Sequence, residues 1–160
     1  MTSPDAASKT SLRLNAAGLV LPLPAEPIAQ FVNARLVGDL LFVSGQGPWK
    51  ADGTFYSGKV GADVTLAEAR LHARVTGLNL LAVVQKMLGD LDRVAAVVKL
   101  LGMVNATPDF TEHPKVIDGC SELLVEILGE AGTHARSAIG VGSLPNNFTV
   151  EIEAIFAVRR

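Results

Sequence analysis

The chain has 160 residues, of which 49% are hydrophobic and 19% charged, and its formal net charge at pH 7 is −2. This length suits one domain, because globular domains most often contain about 100–150 residues. The apolar content excludes a disordered chain, and the lack of excess Lys and Arg weighs against a dedicated nucleic-acid binder. Cys120 is the only cysteine, which excludes an intramolecular disulfide and a cysteine-rich zinc site. Charged residues, Gly and Pro interrupt each apolar stretch too early for a membrane span, so we expect a soluble, cytoplasmic protein.

The N-terminal part of the chain is predicted to begin loosely and then to form strands. Residues 1–14 are expected to be a flexible segment, since the first ten are small and polar, and residues 15–160 to form the single domain. Residues 31–35 and 40–44 are rich in β-branched or aromatic residues and are joined through Gly38-Asp39, which predicts a hairpin. Closely spaced glycines between residues 53 and 61 then indicate a loop region.

A long helix is predicted after this loop. Thr65 and Glu68 have the spacing of a capping box, and Gly89 is a natural helix end. Apolar residues recur between them at helical spacing, so one face of the helix is expected to pack on a sheet or another helix. Residues 93–105 are apolar at both alternating sets of positions, which predicts a strand buried on both sides.

The remaining elements predict an α+β fold. A second helix is expected over residues 116–128, with Thr111 as N-cap, Pro114 in its first turn and Gly129 at its end. Residues 136–144 and 148–158 then alternate as a final hairpin. This order of elements predicts a sheet with both helices on one face. Since a single chain offers nothing to cover the other face, we expect sheets from several copies to pack together.

Arg136 and two glutamates are the main candidates for chemistry. Arg136 lies on a strand of small and apolar residues, where a guanidinium needs a carboxylate partner. That partner is either Glu151 or Glu153, in a structural salt bridge, or a ligand. The alternation of residues 150–156 places both glutamates on one face of their strand. They are either solvent-facing or ion-paired, or one of them has a pKa suited to proton transfer.

Other polar features give weaker signals. The segment Ser44-Gly45-Gln46-Gly47 could offer main-chain amides to an anion, but it lacks the Lys and the spacing of a phosphate loop. Cys120 is interpreted as a core thiol, since no catalytic partner accompanies it. The three histidines have no ligand spacing, so no metal site is expected. Trp49 and Phe55 are too few for a base-stacking surface.

Several motifs in order resemble a known family. From about residue 31 to the C-terminus, the chain is similar to the reactive-intermediate deaminase (Rid) family, also called YjgF or L-PSP endoribonuclease-like. The segment from Gly129 to Ser137 resembles a particular branch of it. The motifs that carry the resemblance are Val43-Ser44-Gly45-Gln46, Leu88-Gly89-Asp90-Leu91-Asp92-Arg93-Val94, Asn105-Ala106-Thr107-Pro108-Asp109-Phe110, Ala135-Arg136-Ser137, Leu144-Pro145 and Val150-Glu151-Ile152-Glu153-Ala154.

The resemblance implies a chorismate-mutase-like fold in a homotrimer, with clefts between neighbouring subunits. It also implies hydrolytic deamination of 2-iminopropanoate or its enamine, in which Arg136 binds the carboxylate and Glu151 positions the attacking water. Main-chain groups of Ser44, Gly45 and Ala138 would complete the pocket.

Three positions depart from the family pattern. Phe31 stands where the family has a tyrosine that helps to hold the substrate or water, and it has no hydroxyl to donate. Ala138 replaces a cysteine, which matters little if only its main chain is used. Asp118 replaces an asparagine, and its charge would repel a carboxylate substrate if it faced the cleft.

Three functions follow as hypotheses. The first is a deaminase of small 2-imino or enamine acids that releases ammonia and needs no cofactor, because a protonated imine is already electrophilic. The second is a non-catalytic trimeric module that binds a small carboxylate at Arg136, and the changes at Phe31 and Asp118 favour it. The third is an endoribonuclease, against which the acidic balance counts.

Overall fold

The computed structural model describes residues 7–160, which form a five-stranded sheet and three α-helices. None of the described helices is long and apolar enough to cross a lipid bilayer. Short 3₁₀ segments follow α2 and α3 and precede β5. The elements, in chain order, are α1 (Lys9–Ala16), β1 (Ala34–Val37), β2 (Leu40–Gln46), α2 (Leu66–Leu88), β3 (Val94–Asn105), α3 (His113–Leu128), β4 (Ala135–Val141) and β5 (Val150–Val158).

The N-terminal segment differs from the expectation. Residues 1–6 lie outside the described residues, but Lys9 to Leu14, which were predicted to be flexible, are helical. Two contacts explain this difference. The Asp92 carboxylate accepts hydrogen bonds from the main-chain N–H groups of Lys9 and Thr10, at 2.8 and 3.0 Å, and so caps the start of α1. Leu14 is buried in the core.

The capping signals of α2 are confirmed. Thr65 Oγ accepts from the Glu68 N–H at 3.2 Å, and the Glu68 carboxylate accepts from the Thr65 N–H at 2.8 Å. Gly89 ends the helix in the left-handed conformation, with φ of 80°. Helix α3 starts slightly differently from the prediction, because its N-cap is Glu112 rather than Thr111 and makes no side-chain cap.

The sheet order is β1-β2-β5-β3-β4, with β3 and β4 parallel and the other pairs antiparallel. The prediction of a final hairpin is therefore wrong, since β5 lies between β2 and β3. The reason is that β3, α3 and β4 form a strand–helix–strand crossover, which places β4 alongside β3. Phe148 lies outside β5 and packs edge-on against Trp49 and Phe55.

Both long helices pack on one face of the sheet, as predicted, and the opposite face is open. On β3, Leu100 and Val104 are fully buried beneath the helices, whereas Leu101 and Met103 on the other side are only half-buried. The strand is thus buried on both sides only if something covers the open face. Phe42 on β2 is 41% exposed there. The resemblance predicts that further copies of the chain pack on this surface.

Candidate functional site

Arg136 and Glu151 lie on opposite faces of the sheet. Arg136 pairs with Leu100 across β3 and β4, whereas Glu151 pairs with Met103 across β3 and β5. Paired residues share a face, and positions 100 and 103 of one strand point to opposite faces. Arg136 is therefore on the helix side and Glu151 on the open side. The hypothesis of a salt bridge from Arg136 to Glu151 or Glu153 is wrong for this reason.

Arg136 is held by the first three turns of α3. Its Nη2 lies 2.7 Å from Asp118 Oδ1 and donates to the Pro114 carbonyl at 3.2 Å, and its Nη1 donates to Ser121 Oγ at 3.0 Å. Positions 114, 118 and 121 share one side of a helix, so α3 presents all three groups along the β4 edge. We call Arg136, Asp118, Ser121, Pro114 and His134 the arginine half-site.

His134 extends this network by one residue. Its Nδ1 lies 2.6 Å from the Gly132 carbonyl, which can only accept, so Nδ1 carries the proton. In the neutral ring Nε2 then accepts from the Ser121 hydroxyl at 2.9 Å, while Ser121 Oγ accepts from Arg136. The result is a chain of hydrogen bonds, in which Arg136 donates to Ser121 and Ser121 donates to His134. His134 and Ser121 are not among the site residues predicted from the sequence, although the spacing of His134 and Arg136 along an extended chain already places both on one side.

The glutamate half-site is formed by Glu151, Glu153, Gly45, Ser44 and Phe31 on the open face. An irregularity between Val43 and Gln46 in the β2–β5 register brings Gly45 against Glu151. A Cβ atom on Gly45 would lie only 3.0 Å from the Glu151 carboxyl carbon. The glycine therefore leaves the space that the carboxylate occupies.

The hydroxyl and the N–H of Ser44 already donate hydrogen bonds within the chain. Its hydroxyl donates to the Val32 carbonyl at 2.7 Å, and its N–H donates to the Asn33 carbonyl at 2.9 Å. Both of its hydrogen-bond donors therefore hold the segment before β1 against β2. Ser44 could offer a ligand only acceptors, namely its Oγ and its carbonyl, which already accepts from Gln46 Nε2 at 3.0 Å.

The Glu151 carboxyl is half-buried and its pKa is raised, first by burial and then by the like charge of Glu153. Both effects disfavour the charged form. A carboxylate with a raised pKa is a stronger base, which suits the removal of a proton from water. The predicted placement of both glutamates on one face is confirmed by their alternation with the buried residues Val150, Ile152 and Ala154.

A cleft of about 720 Å³ lies on the open face beside the glutamate half-site. Phe31 lines this cleft and is 52% exposed. The charged side chains of Arg35 and Lys99 and the hydroxyl of Ser137, which accepts from Lys99 Nζ at 3.2 Å, give the floor polar groups. Ser44 and Glu153 of the glutamate half-site also line the cleft, together with apolar residues that include Val32, Phe42, Leu101 and Ile155.

The predicted site residues thus fall into two sets. Asp118 contacts Arg136, and Ala138 shares its face of β4, opposite Gly102. Phe31, Ser44 and Gly45 belong with Glu151. One chain does not bring the two sets together.

Cys120 is a fully buried core thiol, as predicted, and burial raises its pKa to about 12. It is therefore protonated and unsuited to nucleophilic attack. Within residues 7–160, no group of three or more His, Cys, Asp or Glu side chains could hold a metal ion. His72 bonds to Thr149 Oγ1 through Nδ1, at 3.0 Å, and stacks on Tyr56.

Comparison with known proteins assigns the chain to a family. A sequence model described as "YjgF/chorismate mutase-like, putative endoribonuclease" matches residues 11–157. Protein TCP17 of Trypanosoma cruzi is 40% identical over 151 residues, 94% of each chain. A crystal structure of a protein of unknown function from Agrobacterium tumefaciens is 41% identical, with a TM-score of 0.88 over 94% of this chain and 92% of the other. A "putative endoribonuclease" from Shewanella oneidensis is 35% identical, with a TM-score of 0.91 over 94% and 100%.

Proposed function

The chain belongs to the YjgF/chorismate mutase-like (Rid) family, and from this membership and the two half-sites we propose that it is a hydrolytic deaminase of small 2-imino or enamine acids. Rid proteins are generally imine deaminases. The observation that carries the proposal is the half-buried Glu151, with its raised pKa, beside Gly45. We place the reaction in the cytoplasm, the location expected from the sequence.

The proposed active site is completed by a second copy of the chain. Arg136 and Glu151 face opposite sides of one sheet, so they cannot act on one small molecule within a chain. The family is typically homotrimeric. We therefore place the arginine half-site of one copy against the glutamate half-site of the next. The apolar, exposed side chains of Phe31 and Phe42 on the open face support burial of this surface in an assembly.

In this mechanism Arg136 binds the substrate carboxylate and orients the imine carbon. Glu151 takes a proton from a water molecule, whose oxygen attacks that carbon and forms a tetrahedral aminoalcohol. The proton on Glu151 then passes to the nitrogen. As the C–N bond breaks and ammonia leaves, Glu151 takes the hydroxyl proton and the C=O bond of the 2-oxo acid forms. Ammonia carries this proton away as ammonium, which restores the carboxylate of Glu151. Water is the only co-reactant, and no cofactor is proposed. Phe31 cannot donate to the water, so Glu151 positions it without help from a hydroxyl at that place.

The test is the loss of 2-iminopropanoate, generated by an amino-acid oxidase and trapped with semicarbazide. We expect the wild-type protein to accelerate this loss and Glu151→Gln to reduce kcat by about 100-fold or more, because a general base is removed. Arg136→Ala is expected to remove the acceleration. Glu26→Gln is the matched control, since Glu26 is exposed and its partner is Lys86 of α2 rather than a residue of either half-site. An unchanged rate in Glu151→Gln would rule out the proposed base.

A binding module remains the second candidate, because Asp118 already pairs with Arg136 and Phe31 lacks a hydroxyl. In that case the protein would bind pyruvate through Arg136 without accelerating the loss of the imine. Binding that disappears in Arg136→Ala, together with no turnover by any variant, would support the module and contradict the deaminase.

A further inference from the structure

The guanidinium of Arg136 is already engaged where a carboxylate would bind. A guanidinium binds a carboxylate most strongly through two parallel N–H groups, either the Nη1–Nη2 pair or the Nε–Nη2 pair. Nη2 belongs to both pairs and carries two hydrogens. Its two acceptors here are Asp118 Oδ1 at 2.7 Å and the Pro114 carbonyl at 3.2 Å. A ligand carboxylate can therefore form two parallel hydrogen bonds with Arg136 only if one of these acceptors moves away.

Asp118 is the acceptor that can leave. The Pro114 carbonyl is part of the main chain of α3 and is fixed by the helix. The Asp118 side chain is 36% exposed and can rotate away. Its carboxylate is also the same chemical group as the ligand, so the two compete for the same hydrogen on Nη2.

A second cation lies close to Asp118. Arg70 on α2 places its Nη1 4.0 Å from Asp118 Oδ2, while Oδ1 is the oxygen that faces Arg136. Arg70 also binds Glu122, one turn further along α3. Asp118 thus lies between two arginines, and a small rotation moves it from Arg136 toward Arg70.

From this geometry we infer that Asp118 is a specificity-determining residue that competes with the ligand carboxylate for Arg136 and shifts to Arg70 when the ligand binds. The inference rests on the proposed function only in taking Arg136 as the carboxylate-binding group. The consequence is that ligands are selected by the number of hydrogen bonds that they can make to Arg136. A ligand that makes two bonds to Arg136 displaces Asp118, whereas an anion that makes a single bond does not.

The test measures binding of pyruvate, the unreactive product of 2-iminopropanoate hydrolysis, by isothermal titration calorimetry. We expect Asp118→Asn to lower the Kd for pyruvate by about tenfold, because a charge-assisted competitor is lost while the shape is kept. Where imine turnover is measured, KM falls and kcat stays the same. Glu126→Gln is the matched control, since it removes one charge from the same helix at a pair with Arg74, and it leaves the Kd unchanged.

A second variant tests whether the Asp118 carboxylate moves to Arg70. Arg70→Met removes the alternative partner, so Asp118 stays on Arg136 and the Kd for pyruvate rises. In the double variant with Asp118→Asn this effect disappears, because there is no carboxylate left to move. A Kd that rises or stays constant in Asp118→Asn overturns the inference. If Arg136→Ala binds pyruvate as tightly as the wild type, the proposed function fails instead, so the two failures are distinguishable.

Discussion

The two half-sites are built from opposite principles, although both lie on the same sheet. Around Arg136, three polar groups of α3 hold the guanidinium: the Asp118 carboxylate, the Ser121 hydroxyl and the Pro114 carbonyl. Around Glu151, burial and a like charge act together, and no hydrogen bond from the described residues 7–160 offsets the raised pKa. The Arg136 guanidinium already has hydrogen-bond partners, so a ligand carboxylate can form two parallel hydrogen bonds with it only by displacing one of them. The Glu151 carboxylate has no such partner among the described residues, so it can accept a proton directly. In the proposed mechanism the arginine half-site thus serves binding and the glutamate half-site serves chemistry, and each can be perturbed separately.

The largest expected effect comes from mixing two inactive variants. If the half-sites meet between copies, Arg136→Ala and Glu151→Gln chains refolded together at equal amounts form some sites with both wild-type residues. We expect recovery of about one quarter of wild-type imine hydrolysis, since each site draws its arginine and its glutamate from two randomly chosen copies. Each variant refolded alone is the control. If the mixture is no more active than its parts, the site lies within one chain or the two variants do not mix, and co-migration of tagged chains separates these cases.

Gly45→Ala tests the glutamate half-site without removing a charge. The new methyl group would lie 3.0 Å from the carboxyl carbon of Glu151, at the flexible end of that side chain. The fold can absorb this contact, but the carboxylate moves, and a misplacement of about 1 Å can cost roughly 100-fold in rate. We therefore expect a large loss of kcat with a nearly unchanged Tm.

Gly142→Ala is the matched control for this substitution. Gly142 has no atom within 4 Å of its would-be Cβ, so the same chemical change is made in open space. We expect kcat and Tm close to those of the wild type. Equal losses of rate in both variants would mean that the effect does not pass through Glu151.

The two half-sites also differ in how far the sequence predicts them. Local signals were sufficient for α2, whose capping box and Gly89 are fixed by neighbouring residues, and for the shared face of Glu151 and Glu153. The partner of Arg136 was not predictable in this way. It depends on which strand β4 joins, and that choice is made by the crossover through α3 rather than by the alternation of β4 itself. The capping of α1 by Asp92 is missed for the same reason, because its partner is distant in sequence.

A change in pH profile is expected from Glu153→Gln. Glu151 must be ionised to accept a proton, so activity falls as the pH drops through its raised pKa. Removing the like charge of Glu153 takes away one cause of the raised pKa, so the pKa of Glu151 falls. The acidic limb of kcat/KM for imine hydrolysis should then move to lower pH. Glu26→Gln should leave the limb in place, and a limb that moves to higher pH in Glu153→Gln would contradict the assignment to Glu151.

The smallest effect is expected from Ser121→Ala, which interrupts the chain from Arg136 to His134. The substitution removes one of the hydrogen bonds that hold the guanidinium and leaves the Asp118 and Pro114 contacts in place. The Ser121–His134 hydrogen bond is lost as well, and each of the two bonds typically contributes about 1 kcal/mol, so we expect a drop in Tm. Because only the orientation of the binding group changes, KM for the imine should rise severalfold while kcat is kept. Ser11→Ala on α1 is the control, where an exposed hydroxyl accepts from Ser8. A fall in kcat with constant KM in Ser121→Ala would instead place the arginine half-site in the chemical step, and the separation of binding from chemistry would not hold.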